Sequence, residues 1–251
     1  MRSIQQIKEE LSGLGTEELA ATLEVLKEDT RTGVQSLVSR YEKQKKALQA
    51  EQARMEAMLV FERKYSDYEW IAGIDEVGRG PLAGPVVTCA AILPKDEVIL
   101  YLNDSKKLSE SKREALYDTL VEKCAGFGIG VVSHERIDEI NILQATYEAM
   151  RISVSRLVPE PDLLLVDAVH IPDLRVKQVS IIKGDAKSAS IAAASILAKV
   201  TRDRMMKEYD VIYPGYGFAE NKGYGSAAHI EAIRRLGPCP IHRRSFIGNF
   251  I

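Results

Sequence analysis

Trp70-Ile71-Ala72-Gly73-Ile74-Asp75-Glu76-Val77-Gly78-Arg79-Gly80 is an apolar run that ends in two acids and then in a glycine turn. Adjacent residues of a regular strand point to opposite faces, so Asp75 and Glu76 can serve one site only where the strand stops. Gly78 supplies that stop. Ile71–Asp75 and Val86–Leu93 flank a loop containing Gly78, Gly80, Pro81, Gly84 and Pro85, which reads as two strands joined by a wide turn. Taken alone, the acids are an ordinary pair at a strand-to-turn junction.

The pattern recurs further along. Leu163–Val166 is a short apolar strand, buried on both faces, that ends in Asp167. Val176–Ile182 is the next strand, and Asp185 opens the helical segment that follows. Asp185 stands three residues before Ser188, so a helix N-cap explains it without any chemistry. The combination carries more weight than its members. Acids at the carboxyl ends of parallel neighbouring strands converge at the edge where open α/β sheets place ligands. Four such carboxylates raise one another's pKa values. Two divalent cations remove that penalty, and ions roughly 3.5–4 Å apart activate water on one side and stabilise the leaving oxygen on the other. All-oxygen ligands select magnesium or manganese over zinc or copper.

Around these strands the chain alternates helices and strands. Ser111 and Glu114 form a capping-box pattern before a helix carrying Leu116, Leu120 and Val121. Phe127–Ser133 reads as a strand, and Glu135–Leu157 as helix ended by Pro159 and Pro161. Ala186 to about Tyr209 is a long helix rich in small residues, and another helix covers Ser226–Leu236. Five strands interleaved with helices predict an α/β domain with a mixed sheet over residues 68–251.

Residues 1–67 lack proline and read as an all-helical extension. Ile4, Ile7, Leu11 and Leu14 line one helix face, and Thr16 is the expected N-cap of a second helix with Leu19, Leu23 and Leu26. From about Asp29 to Arg63, Val34, Tyr41, Leu48 and Met55 recur seven apart. Lys45 and Gln52 spoil the second apolar position that a coiled coil needs. The expectation is a helical arm with one apolar stripe, packed on the main domain or on a protein partner. Its Arg40, Lys43, Lys45 and Lys46 suit either a solvated face or phosphate contact.

Composition bounds the rest. The chain has 251 residues, a net charge of -2 and three cysteines, Cys89, Cys124 and Cys239, without CxxC spacing. A disulfide framework or zinc site is not expected. A uniformly basic nucleic-acid binder is excluded, but a local patch is not: Lys222, Arg234, Arg235, Arg243 and Arg244 cluster near the C-terminus. The first residues lead into a charged helix instead of an apolar signal core, and a cytoplasmic, membrane-free monomer is expected.

Glycines let backbone groups approach a ligand closely, and backbone groups can sense a sugar hydroxyl, which separates RNA from DNA. Arg79 can pair bidentately with a phosphate. Neither Gly78-Arg79-Gly80 nor Gly184-Asp185-Ala186-Lys187-Ser188 fits the phosphate-loop pattern. Ile74–Val86 as a whole, however, closely resembles the signature of the ribonuclease HII family, the type 2 ribonucleases H. So do Asn103-Asp104-Ser105-Lys106-Lys107-Leu108, Lys183–Ser188 with Ser190–Ser195, Lys222-Gly223-Tyr224-Gly225 and His242-Arg243-Arg244-Ser245-Phe246. These motifs run in order over about residues 69–250.

The resemblance implies a ribonuclease H-like fold, with a mixed central sheet flanked by helices and a helical C-terminal part. It implies an endonuclease that uses two divalent ions, Mn2+ or Mg2+. Its substrates would be the RNA strand of RNA–DNA hybrids and duplex DNA containing ribonucleotides, cut on their 5′ side to leave 5′-phosphate and 3′-hydroxyl ends. By motif, Asp75, Glu76, Asp167 and Asp185 would be catalytic and metal-binding. Gly78, Arg79 and Gly80 would contact the ribonucleotide, Tyr224 would stack on the next sugar, and Ser105, Lys106, Lys187 and Ser188 would meet phosphates. The four histidines, His134, His170, His229 and His242, share no spacing and read as structural, with His229 and His242 near the nucleic acid. A ribonuclease HIII-type enzyme would carry a glutamate at the Asp185 position and a β-containing extension. A non-cleaving hybrid-binding protein on the same fold would show a broken carboxylate set.

Overall fold

The computed structural model describes residues 2–95 and 97–249, without the side chains of Thr16 and Glu17. It divides into two compact units, residues 1–54 and 55–251.

Among its described residues, the first unit consists of helices joined by short turns. α1 (Ile4–Gly13) is opened by a capping box in which Ser3 and Gln6 exchange bonds. α2 (Thr16–Leu26) begins one residue earlier than expected, with Gly15 at the cap position; the Thr16 side chain lies outside the described residues. α3 (Thr32–Met58) runs on past the division between the units. Ile7, Leu11, Leu23, Leu26, Val34, Leu37 and Val38 form a core of their own. The expected single stripe is therefore corrected. Leu37 and Val38 widen it at the start of α3, Leu48 is exposed, and Met55 is buried in the second unit. Arg40, Lys43, Lys45 and Lys46 are exposed.

In the second unit, α4 (Val60–Lys64) precedes a five-stranded sheet. The strands are β1 (Ile71–Val77), β2 (Val86–Ile92), β3 (Gly126–Val132), β4 (Leu163–Asp167) and β5 (Lys177–Ile181), in the order β3-β2-β1-β4-β5. β2 pairs antiparallel with β1 and β3, whereas β4 lies parallel to both β1 and β5. The expected mixed sheet is present.

Helices cover both faces. α5 (Glu110–Lys123) is capped by Ser109, two residues before the expected Ser111, because the Ser109 hydroxyl reaches the Lys112 amide. α6 (His134–Ser155) is interrupted at Asn141, whose φ is 67° and whose side chain re-caps the amides of Leu143 and Gln144. α7 (Ala189–Ile212) packs against β1 and β2 through Ala189, Ala192, Ala193 and Ala194. Its first turn presses on Gly73, where a Cβ would lie 2.1 Å from the Ser190 carbonyl carbon. Only glycine permits that approach, which brings the start of α7 onto the middle of β1. α8 (Phe218–Asn221), α9 (Ala227–Leu236) and α10 (Arg244–Ile247) complete the C-terminal part around Phe218, Ile233 and Ile247. Among the described residues, no helix is long and apolar enough to cross a membrane.

Candidate active site

Ile74 of β1 and Val166 of β4 are parallel partners, and one residue beyond them stand Asp75 and Asp167. Strand register alone thus places these two acids side by side at the carboxyl edge. Glu76 follows still within β1, which runs to Val77, two residues beyond the expected end at Asp75, before the chain turns away through Gly78 at a φ of 93°. After β5 the chain turns at Lys183 and donates the Gly184 amide to Asp167 Oδ1 at 2.7 Å. That bond ties the turn carrying Asp185 to the end of β4. Asp185 itself sits in a single 3-10 turn, Gly184–Ala186, and the N-cap of α7 is Ser188, whose hydroxyl accepts from the Ile191 amide.

The four acids are electrostatically linked. Burial raises the Asp75 pKa well above its ordinary value, and the charges of Glu76 and Asp167 add to the rise. Bonds from the Ser195 hydroxyl and the Glu76 amide oppose it. Glu76 is raised by burial and by Asp167, against the pull of Arg79 at 3.4 Å and of Lys106. Asp185 is raised by burial and by the charges of Asp104 and Asp167, again opposed by Lys106. Among the described residues, no three acidic, histidine or cysteine side chains are already gathered as ligands around one point. The donor set nonetheless fits hard divalent cations: oxygens alone, one carboxylate nearly buried, and like charges that raise one another's proton affinity.

The remaining expected residues divide between surface and interior. Arg79, Lys106 and Lys187 are exposed beside the edge. Ser105 and Ser188 are buried. The Ser105 hydroxyl bonds Ser195 at 2.9 Å, and that of Ser188 donates to Glu62 Oε1 at 2.6 Å. Both therefore hold the loops next to the exposed lysines. Tyr224 is 42% exposed, and its ring faces the glycine loop: a Cβ on Gly80 would lie 3.9 Å from Tyr224 Cε1.

Sequence reasoning missed several supports. Arg243, read as part of a basic surface patch, is fully buried and donates to the carbonyls of Gly78, Arg79 and Gly84. Arg202, also fully buried, donates to Ala83, Pro85 and Lys222. Arg234, Arg235 and Arg244 remain exposed, as a patch requires. Glu62 accepts from the Ser190 amide and hydroxyl as well as from Ser188, a charged cap on α7 supplied from α4. The offset of about 126 residues in sequence hides that contact, as the lack of any charge partner in the motif hides the work of the arginines.

A family model described as Ribonuclease HII matches residues 72–249, and a second, the Ribonuclease HII N-terminal domain, matches residues 3–66. The chain belongs to the ribonuclease HII family. A Ribonuclease HII of Lachnoclostridium phytofermentans is 60% identical, covering 98% of this chain and 97% of its own. One from Acetivibrio thermocellus is 51% identical, with coverages of 99% and 98%. The crystal structure of the ribonuclease H2 from Pyrococcus horikoshii aligns with a TM-score of 0.59 at 28% identity, over 70% of this chain and 93% of that one. As a ribonuclease HII relative with a ribonuclease H-like sheet, the chain is a ribonuclease H-type hydrolase, an endonuclease. The match of the all-helical arm to the HII N-terminal domain sets it apart from the HIII alternative.

Proposed function

We propose that the protein hydrolyses the RNA strand of RNA–DNA hybrids and cuts on the 5′ side of ribonucleotides embedded in duplex DNA, leaving 5′-phosphate and 3′-hydroxyl ends. It would thereby serve ribonucleotide removal during DNA replication and repair. The observation that carries this reading is the set of carboxylates at adjacent strand ends, Asp75, Glu76 and Asp167, with Asp185 tied to them through Gly184. These four side chains would hold two divalent ions, Mn2+ or Mg2+. When bound, such ions supply a water of lowered pKa and neutralise charge on the reacting phosphate.

The chain's own residues account for the rest. Asp75 and Glu76 are kept in place by the Ser195 hydroxyl and by Arg79. Arg79, Lys106 and Lys187 offer exposed cations to the backbone phosphates flanking the cut. The Tyr224 ring adjoins Gly80, its Cε1 3.9 Å from where a Gly80 Cβ would stand, so backbone and aromatic surface lie side by side. A ribose laid across this surface would meet backbone groups able to sense its 2′-hydroxyl, while the next sugar stacks on Tyr224.

The test is a duplex bearing one ribonucleotide, incubated with purified protein after chelation and again after adding Mn2+ or Mg2+. The expected result is a single cut 5′ to the ribonucleotide, only with metal, whose 5′-phosphate end a ligase can rejoin. Cutting without metal, or equal cutting of an all-DNA duplex, would overturn the reading.

A further inference from the structure

Two histidines that share no hydrogen bond with the four acids are buried and joined to each other. His229 Nε2 and His242 Nε2 lie 3.1 Å apart, with both residues at most 1% exposed. Their remaining ring nitrogens are also engaged. His229 Nδ1 lies 2.8 Å from the Tyr224 carbonyl oxygen, and the Cys239 amide lies 3.0 Å from His242 Nδ1.

Hydrogen-bond chemistry fixes the protons from the Tyr224 end, and the Cys239 amide at 3.0 Å from His242 Nδ1 agrees with it, with the Cys239 sulfur at 3.1 Å and carbonyl oxygen at 3.3 Å from the same nitrogen. A carbonyl can only accept, so His229 Nδ1 carries its hydrogen. In the neutral ring that leaves His229 Nε2 as acceptor, and His242 Nε2 must donate. His242 Nδ1 is then a lone pair, which is what the Cys239 amide requires. One direction therefore runs from the Cys239 amide through His242 and His229 to the Tyr224 carbonyl. Burial lowers both imidazole pKa values, that of His242 to about 4, which keeps the rings neutral at physiological pH.

The two ends of this chain belong to the two sides of the proposed sugar-binding surface, the glycine loop and Tyr224. Residues 239–243 are bound to the end of the glycine loop: His242 bridges Ala83, the Gly84 amide donates to the Ile241 carbonyl, and the Arg243 amide donates to that of Leu82. At the other end the Tyr224 carbonyl receives the Ser226 amide as well as His229, and the Tyr224 amide donates to Asn221. We infer that His229 and His242 are positioning residues for ribonucleotide recognition, a rigid spacer that sets the gap between the Tyr224 ring and Gly78-Arg79-Gly80. This rests on the proposed role of Tyr224. Neither histidine touches the acids, so the effect should appear in substrate discrimination and KM before kcat.

The side-chain amides of asparagine and glutamine separate the two halves of the His229 contact. Asparagine places an N–H where Nδ1 stands and still reaches the Tyr224 carbonyl; glutamine reaches the Nε2 position and leaves that carbonyl with the Ser226 amide alone. The experiment compares His229→Asn, His229→Gln, Tyr224→Ala and the Tyr224→Ala/His229→Gln double variant on two substrates, a single-ribonucleotide duplex and a long hybrid, with Tm recorded for each. Expected are a roughly tenfold rise in KM on the single-ribonucleotide duplex for His229→Gln, kcat within about twofold, and a rescue to within about threefold by His229→Asn. In the Tyr224→Ala background, His229→Gln should change the substrate ratio no further. Equal behaviour of Asn and Gln, or losses on both substrates that follow Tm, would overturn the spacer. If Tyr224→Ala leaves the substrate ratio unchanged, the Tyr224 reading fails; if Tyr224→Ala shifts it and His229→Gln does not, only the spacer fails.

Discussion

Asp75 and Arg243 are both buried ions, and Arg243 holds the carbonyls of Gly78 and Arg79, three and four residues after Asp75, yet their surroundings are opposite in kind. Arg243 is 0% exposed and places three N–H donors on carbonyls, at 3.0 Å on Gly84, 3.0 Å on Arg79 and 2.5 Å on Gly78. Burial lowers its pKa only to about 9, so it stays charged at neutral pH, its charge spread over backbone dipoles. Arg202, on the other flank of the same loop, is lowered to about 10 and held in the same way. Asp75, 8% exposed, has a hydroxyl and an amide for partners and two further carboxylates for neighbours. The cationic side is closed and structural; the anionic side is left open to something positive from outside. Buried charge marks a ligand site where its neighbours share its sign, and a scaffold where dipoles close around it.

The sharpest way to break that comparison is to neutralise each side. Asp75→Asn and Asp185→Asn keep shape and remove charge, and cleavage should fall by about a thousandfold, the upper range for losing one electrostatic element of an active site. Binding of a hybrid should remain measurable by gel shift. Activity close to that of the parent in either variant would remove that residue from the chemistry. Arg243→Gln should act in the other direction on the fold. It strands carbonyls of Gly78, Arg79 and Gly84 in a dry interior, for a loss of about 3 kcal/mol. Thermal denaturation should then show a Tm lower by about 9 °C for a chain of this size. An unchanged Tm would mean that the loop does not depend on its guanidinium.

The acidic side was the more legible of the two in the sequence, for a physical reason. A strand announces its end by an apolar run and a glycine, so Asp75, Glu76 and Asp167 could be placed at one edge from local pattern and the parallel pairing it predicts. Asp185 needed more than pattern, since a cap explains it equally well; the structure gives the cap to Ser188 and leaves Asp185 free of that task. The arginines were illegible because their partners are main-chain carbonyls, which carry no letter in the sequence. His229 and His242 were read as structural, but their bond to each other failed to register for a related reason: spacing reveals partners on one element, whereas these two come from α9 and from the segment after it. Helix caps were misplaced by one or two residues at Thr16 and Ser111, the usual uncertainty of a boundary read from composition. The glutamate that caps α7 arrives from α4, and no local window contains both.

The smallest expected effect concerns what the open side costs the fold when no cation is present. A carboxyl whose folded pKa lies above its unfolded one, as burial and Glu76 make that of Asp75, holds its proton more tightly in the folded chain. Below roughly pH 4 both states are protonated and folding is unaffected. As the pH rises past that point the unfolded chain ionises first, so stability is lost progressively until the pH exceeds the raised pKa, above which the loss is complete. Asp75→Asn has no proton to lose. Metal-free, the variant and its parent should therefore melt together near pH 4 and separate towards pH 7, the variant being the more stable. Mn2+ at about a hundred times its Kd should reverse the order, since binding adds close to 3 kcal/mol to whichever protein holds the ion. Scanning calorimetry at both pH values, with and without Mn2+, reads both signs at once. A variant less stable than its metal-free parent at pH 7 would mean that Asp75 is held by the fold as securely as Arg243 is, and the contrast between the two sides would disappear.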